Sequence, residues 1–264
     1  MKKDRLKYSE EEIRKWGEFY KNGNSLKQTA EKFNINYSTV KQNLLRFGYR
    51  KPCRKVSAEF INEINYFHKI DTEEKAYFLG FLYSDGYICK TPYGYSTGIA
   101  LKKEDEYIIQ AFKQKLGITG NISYYKNSAK ISSSSKHLYL DLQSIGIQED
   151  KSHKDFRIPN LDPKYLNAFI RGYFDGDGCI TIKSTGYSVV SICCNSRIFL
   201  EDIKIILEQN DIKCRPICTE KRNKTLYVLY LSKRENQIKF CNYIYSNANL
   251  YLKRKYLKFM QIPR

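Results

Sequence analysis

The sequence predicts an α+β protein: two pseudo-symmetric half-domains, each a sheet with helices on one face, preceded by a small all-α N-terminal helix-turn-helix. Three observations carry this prediction. Residues 167–183 recur in altered form at 75–90, and one constant offset of 92 residues relates Gly80 to Gly172, Asp85 to Asp177 and Gly94-Tyr95-Ser96 to Gly186-Tyr187-Ser188. Each copy is an apolar helical stretch stopped at Asp-Gly and followed by strand-like runs. Residues 1–50 read instead as three short helices broken by a tight turn. Two copies of about 90 residues are too few and too long for a solenoid, so paired half-domains are the natural arrangement.

In chain order, Glu10–Tyr20, Ser25–Asn34 and Tyr37–Arg46 are the N-terminal helices, with the turn at Ile35-Asn36. Ala30 is small enough for a close crossing, and Val40 and Leu44 face inward at i, i+4. Ser38 is the expected cap of the third helix. Thr39, Lys41, Gln42, Asn43 and Arg46 then become candidates for a DNA major groove or its phosphates. A plain three-helix packing module is the alternative. Residues 48–55 are basic, contain Pro52 and read as a linker, which sets the expected domains at 1–52, 58–152 and 153–264.

The first half continues with a hairpin (87–102), a helix (104–116), strands near 119–125 and 129–134 and a helix at 136–145. The second repeats the order: strands to 194, a helix at 197–210, strands near 213–219 and 225–231 and a helix at 235–246. The polar segment 150–160 joins the halves; His153 in it reads as solvent-facing. Residues 251–259 form a basic amphipathic helix expected to pack and to face a nucleic-acid backbone. A two-stranded ribbon fits a major groove, which makes Lys90, Tyr95, Lys126, Lys183, Tyr187, Lys221, Arg222 and Lys224 candidate DNA contacts on hairpin turns. Exposed polar loops are the alternative for each.

The repeated helices carry the chemistry. Asp71 with Glu74, and Asp162 before Pro163, read as N-terminal caps, while Gly86 and Gly178 are expected to end the helices in the left-handed conformation. Asp85 and Asp177 thus sit at helix C-termini, where an acid is disfavoured by roughly 0.3–1 kcal/mol and a compensating cation is called for. Gly80 and Gly172 cost about 1 kcal/mol each in mid-helix, an expense that close helix-on-helix packing offsets. Pairing through these glycines brings Asp85 and Asp177 together, a site for oxygen-preferring divalent ions and phosphodiester hydrolysis. Asp-Gly is also an ordinary turn dipeptide, so the doubling in register is what gives the pattern weight.

Composition narrows the partners. A net charge of +18 and pI near 9.4 point to a polyanion, with phosphate backbones the default. The 23 tyrosines add little, because a Lys, Tyr, Asn and Ile bias also records an AT-rich genome. No apolar run approaches the roughly 20 residues of a membrane span, and the charged N-terminus is not followed by a signal segment, so a cytoplasmic, nucleoid-associated location is expected. The eight cysteines include no Cys-x-x-Cys; Cys214 and Cys218 could be half a zinc site, but nothing completes it.

Phe78–Gly86 and Ile170–Gly178 resemble the nine-residue signature of the LAGLIDADG homing endonuclease family, in its two-motif, single-chain form. The second copy is close; the first departs at Tyr83, where the family often has an acid. The resemblance covers about residues 60–260. It implies that Asp85 and Asp177 are metal-binding catalytic acids using Mg²⁺, with Mn²⁺ as a substitute, and that a monomer cleaves both strands of duplex DNA at a long site across the minor groove. Sheet saddles then read the flanking major grooves. It also implies supporting basic residues, carried over to Lys136 and Lys233 after the fourth strands. Rival expectations are a non-catalytic transcription regulator on the same scaffold and an intron maturase. An intein origin is disfavoured, since the chain starts with its own Met1 and shows no splicing termini.

Overall fold

Two capping boxes open the N-terminal unit: Ser9 with Glu12 and Ser25 with Gln28 satisfy each other's backbone N–H groups at the starts of α1 (Glu10–Lys21) and α2 (Leu26–Lys32). The computed structural model describes residues 8–22, 24–49, 63, 65–92, 94–150, 155–220 and 225–263, and the chain divides into compact units at 1–58 and 59–264. In the first unit, α3 (Tyr37–Arg46) packs on α1 and α2 around Ile13, Trp16, Ala30, Val40 and Leu44. The cap of α3 is Asn36, whose side chain accepts from the Ser38 N–H at 2.8 Å, and not Ser38 itself. Asn34 takes the left-handed conformation that asparagine tolerates, so the turn closes earlier than the sequence suggests. Of the predicted linker, Gly48 and Tyr49 instead close α3, the Tyr49 N–H donating to the Leu44 carbonyl and its ring packing on the unit's core; the rest of it, Pro52 included, the expected boundary and His153 fall outside the described residues.

The larger unit holds two halves of one design. The first runs α4 (Glu73–Ser84), β1 (Gly86–Thr91), β2 (Gly94–Lys102), α5 (Glu106–Leu116), β3 (Ser123–Tyr125), β4 (Ser128–Ser133) and α6 (Lys136–Ser144). The second runs α7 (Leu166–Asp177), β5 (Gly178–Ile182), β6 (Ser188–Cys194), α8 (Arg197–Gln209), β7 (Cys218–Thr219), β8 (Tyr227–Leu231) and α9 (Arg234–Tyr245), then adds α10 (Lys253–Met260). Each half is a four-stranded antiparallel sheet, ordered β1-β2-β4-β3 and β5-β6-β8-β7. Strand β7 is shorter than expected because Pro216 has no N–H for the ladder. Alternation puts Ile88, Ile99, Leu101 and Ile131 of the first sheet, and Ile180, Val190, Ile192 and Leu229 of the second, against the helices; the opposite faces carry the exposed residues, except that Val228, opposite Cys193 on the second sheet, is itself buried.

Helix entry differs from expectation on one side only. Asp162 caps the turn before α7 through the Lys164 N–H, as read. For α4 the cap is Thr72, accepting from the Lys75 N–H, while Asp71 holds the Lys75 ammonium at 2.9 Å and Glu74 takes the Tyr66 hydroxyl. A β-region residue beside the first turn caps it better than one a step earlier.

The two signature helices pack directly on one another. A Cβ on Gly80 would overlap the Phe169 carbonyl oxygen, and one on Gly172 would overlap that of Tyr77. Only hydrogen fits at either crossing. Gly86 and Gly178 have a different reason for being glycine than the one read from sequence. Neither is left-handed; Gly178 is extended at φ −77°, ψ 152°. A side chain at Gly86 would lie 2.6 Å from the Leu82 Cα, and one at Gly178 would strike the Phe174 ring, because each strand leaves back along its own helix.

Candidate active site

Asp85 is the C-terminal cap of α4 and Asp177 the last residue of α7, and both are exposed. Because the glycine crossing sets the two helices backbone to backbone, their ends arrive together. A Cβ on Gly176 would fall 3.0 Å from Asp85 Oδ2, so the acid of one helix lies against the residue that precedes the acid of the other. Beside them, Ser84, Tyr83, Tyr173, Asn195 and Asp177 line a cleft of about 320 Å³.

The compensating cation is Lys255. From α10 its buried ammonium donates to the carbonyls of Phe174 at 2.6 Å, Gly176 at 3.1 Å and Gly178 at 2.6 Å, the orphan acceptors at the end of α7. Burial pushes this lysine down to about 8, opposed by the charges of Asp175, Asp85 and Asp177. Asp175, wholly buried, accepts from the Tyr77 hydroxyl at 3.0 Å, the Tyr245 hydroxyl at 2.7 Å and the Leu252 N–H at 2.7 Å. Burial raises its carboxyl above the usual range, while these bonds and Lys255 pull the other way. Arg171, also buried, donates to the carbonyls of Ile244 and Leu250 and pairs with Glu73 at 2.6 Å. The ends of α7 and α10 are therefore held as one polar, fully bonded block.

Lys255 and Asn195 went unread in the sequence. Within Tyr251–Phe259 a lysine looks like one more surface base; the available signal was its place between Leu252 and Phe259 at i, i+3, i+7, the buried face of the helix. Lys136 and Lys233, by contrast, open α6 and α9 as exposed residues.

The hairpin candidates separate by strand parity. Lys183 and Tyr187 project from the open face of the second sheet, the ammonium 5.5 Å from the ring centroid. Lys126, at φ 50° in the β3–β4 turn, covers the Tyr125 ring. Lys90 and Tyr95 pair with each other on the helix-covered side, in register with Ile88, Thr97 and Ile99, and Tyr95 packs on Tyr139 with centroids 4.8 Å apart. The face they share is the one that α6 packs against, although Lys90, near the end of β1, is itself exposed. Lys221, Arg222 and Lys224 lie outside the described residues. On α3, Lys41, Gln42 and Arg46 are exposed, whereas Asn43 is half-buried with its amide bonded to the Thr39 carbonyl, itself half-buried. Tyr37, Ser38 and Leu45 complete the exposed side in their place.

The donor set suits a hard divalent ion: two exposed carboxylates, Asp85 and Asp177, at adjoining helix ends. No three His, Cys, Asp or Glu side chains converge among the described residues, so waters and phosphate oxygens would complete the shell of such an ion. No helix among the described residues is long and apolar enough to cross a membrane.

The family model for a LAGLIDADG-like domain matches residues 164–245. Among solved structures, the homing endonuclease I-DmoI, in a study of its mesophilic variants, superposes with a TM-score of 0.51 at 21% identity, covering 71% of this chain and 97% of that one. I-DmoI in complex with DNA and Ca superposes at 0.50 and 22% identity, covering 68% and 92%. The LAGLIDADG meganuclease I-AabMI bound to uncleaved DNA superposes at 0.51 and 12% identity, covering 70% and 87%. These are likenesses of fold. Among curated proteins, a probable translation initiation factor IF-2 from Thermococcus kodakarensis is 36% identical over 63 residues, 22% of this chain and 5% of that protein. The chain thus matches only a small fraction of that relative's length.

Proposed function

We propose that this chain, with a LAGLIDADG-like domain over residues 164–245 and the two-sheet fold of LAGLIDADG homing endonucleases, is a site-specific endonuclease that hydrolyses phosphodiester bonds in both strands of duplex DNA. One observation carries the reading: the glycine crossing of α4 and α7 delivers Asp85 and Asp177, both exposed, to one place. Two acids at the ends of two dipoles carry more negative charge than the one ammonium of Lys255 offsets, which favours a further cation at the site.

Asp85 and Asp177 would hold a divalent ion, Mg²⁺ or Mn²⁺ in its place. When bound, such an ion neutralises charge on the scissile phosphate and lowers the pKa of coordinated water. The chain's own part is positional. Lys255 ties down the carbonyls on both sides of Asp177, whose side chain is exposed, and the Asp175 block fixes the helix end behind it. The net charge of +18 draws the phosphate backbone, the open sheet faces take the flanking grooves, and α3 of the N-terminal unit adds affinity through Lys41, Gln42 and Arg46. With one acid per half, a single chain suffices as the working unit.

The test is incubation of the purified protein with Mg²⁺ and a randomised duplex library, sequencing the new ends, beside the Asp85→Asn, Asp177→Asn double variant. Paired breaks at a defined site, seen only with the acids intact, are expected; EDTA should abolish them. DNA bound but uncut in Mg²⁺ and in Mn²⁺ would overturn the nuclease and leave a DNA-binding regulator. Asp177→Asn alone should lose cleavage while retaining affinity for DNA, and continued cutting by it would remove Asp177 from the mechanism.

A further inference from the structure

We infer that Arg254 is a positioning residue for cleavage: through Asp105 it clasps the first half to the end of α7, so that Asp177 is held in register with Asp85. The inference rests on the reading of these two acids as the catalytic pair.

Asp105 does not do the local work its position suggests. It stands at the N-cap of α5, where a carboxylate ordinarily accepts from the first turn, but its side chain makes no capping bond. In the second half the corresponding helix, α8, is capped in the ordinary way, Ser196 accepting from the Phe199 N–H at 3.3 Å. The buried Asp105 carboxylate accepts instead from Arg254 Nε of α10 at 2.8 Å. A buried carboxylate needs a paired charge, so the first half is committed to the C-terminal helix at this point. Tyr107 adds a second tie: its hydroxyl donates to the Tyr251 carbonyl at 2.9 Å and accepts from the Lys253 N–H at 2.7 Å.

The grip continues into the second half within the same turn of chain. The Leu252 N–H donates to buried Asp175, and Lys255, next to Arg254, bonds the carbonyls of Gly176 and Gly178 on either side of Asp177. Neighbours on a helix point about 100° apart, so one turn of α10 faces both halves at once. The glycine crossing sets how near α4 and α7 lie, and contacts at their ends must fix the tilt that brings Asp85 and Asp177 to a common place. The Asp105–Arg254 pair supplies such a contact from the first half, and Lys255 passes it to the helix end that carries the acid.

The test centres on Asp105→Ser, which offers α5 the kind of cap that Ser196 gives α8 and cuts the tie to Arg254, whose exposed guanidinium can turn to solvent. On a supercoiled plasmid carrying a duplex that the unaltered protein cuts, nicked circles should accumulate ahead of linear product. The second break should slow by roughly tenfold or more, with affinity for the same duplex in EDTA unchanged. Arg254→Gln should do the same, and Arg254→Lys should restore part of the second break. Asp105→Ser combined with Arg254→Gln should be no worse than the worse single variant, as two ends of one tie behave. Hydrogen exchange on the full-length protein without DNA gives an independent readout: Asp105→Ser should speed exchange at residues 175–179 about tenfold, although the substitution lies in the other half. A lower unfolding midpoint with the product ratio and the exchange at 175–179 unchanged would reduce the pair to a structural contact and overturn the inference, while the nuclease reading stands. Faster exchange there in a protein that cuts no duplex in Mg²⁺ or Mn²⁺ would sustain the clasp and remove the nuclease reading.

Discussion

The halves meet through contacts that the internal repeat relates in pairs, and the pairs have diverged to different degrees. Gly80 against the Phe169 carbonyl is matched by Gly172 against the Tyr77 carbonyl without change. Tyr77 and Asp175, joined by a 3.0 Å hydrogen bond, correspond to Phe169 and Tyr83, which meet as aromatic rings 5.2 Å apart and nearly perpendicular. In the second pair the Tyr83 hydroxyl turns away to the Ile145 carbonyl. The backbone crossing has no alternative chemistry, since only hydrogen fits between two main chains. The side-chain contact need only fill its volume and satisfy its polar atoms, which a carboxylate with three donors and a ring with three aromatic neighbours both achieve.

The largest effects should come from the symmetric contact. Gly80→Ala and Gly172→Ala force carbon into backbone and should each cost about 3 kcal/mol in urea unfolding. A difference between them of more than about 1 kcal/mol would show that the crossing is not symmetric. Next, Asp175→Asn turns an acceptor of three bonds into a group with two donors of its own, at roughly 3 kcal/mol, whereas Tyr83→Phe removes one neutral bond, at about 1 kcal/mol. Equal costs would mean that the polar block around Asp175 is no more cohesive than the aromatic one.

A smaller effect tests the hairpins. Tyr95 and Tyr187 are repeat partners in sequence, but they occupy opposite faces. The first hairpin pairs Thr91 with Gly94 across a two-residue turn; the second carries three residues between Lys183 and Tyr187, with Gly186 at φ 79°. One residue more slips β6 by one position relative to β2, and a slip of one reverses every side chain. Tyr95→Ala should therefore lower stability by about 1 kcal/mol through the lost Tyr139 contact and leave DNA affinity unchanged. Tyr187→Ala should weaken DNA binding several-fold, by titration at fixed salt, with no change in the unfolding midpoint. The reverse pattern would show that the repeat, and not the register, assigns the faces.

Much of the architecture was legible because it rests on local rules. The doubled helix patterns, most strand positions, the three N-terminal helices and the two acids at helix ends follow from periodicity, capping residues and a constant repeat offset. Misplaced caps at Thr72 and Asn36 show the limit: Asp, Thr, Asn and Ser compete for a cap within one or two positions, and local geometry selects among them.

The sequence by itself determined that two like halves pair through their glycines and bring two aspartates into one neighbourhood, since each glycine would otherwise be a loss in mid-helix. Only the tertiary structure decided which cation compensates those acids and which side of each sheet is open. Lys255 lies 78 residues beyond Asp177 in the chain, and no local pattern connects them until α10 packs over the end of α7. The open face depends on a single residue of hairpin length, to which a repeat read along the sequence is blind.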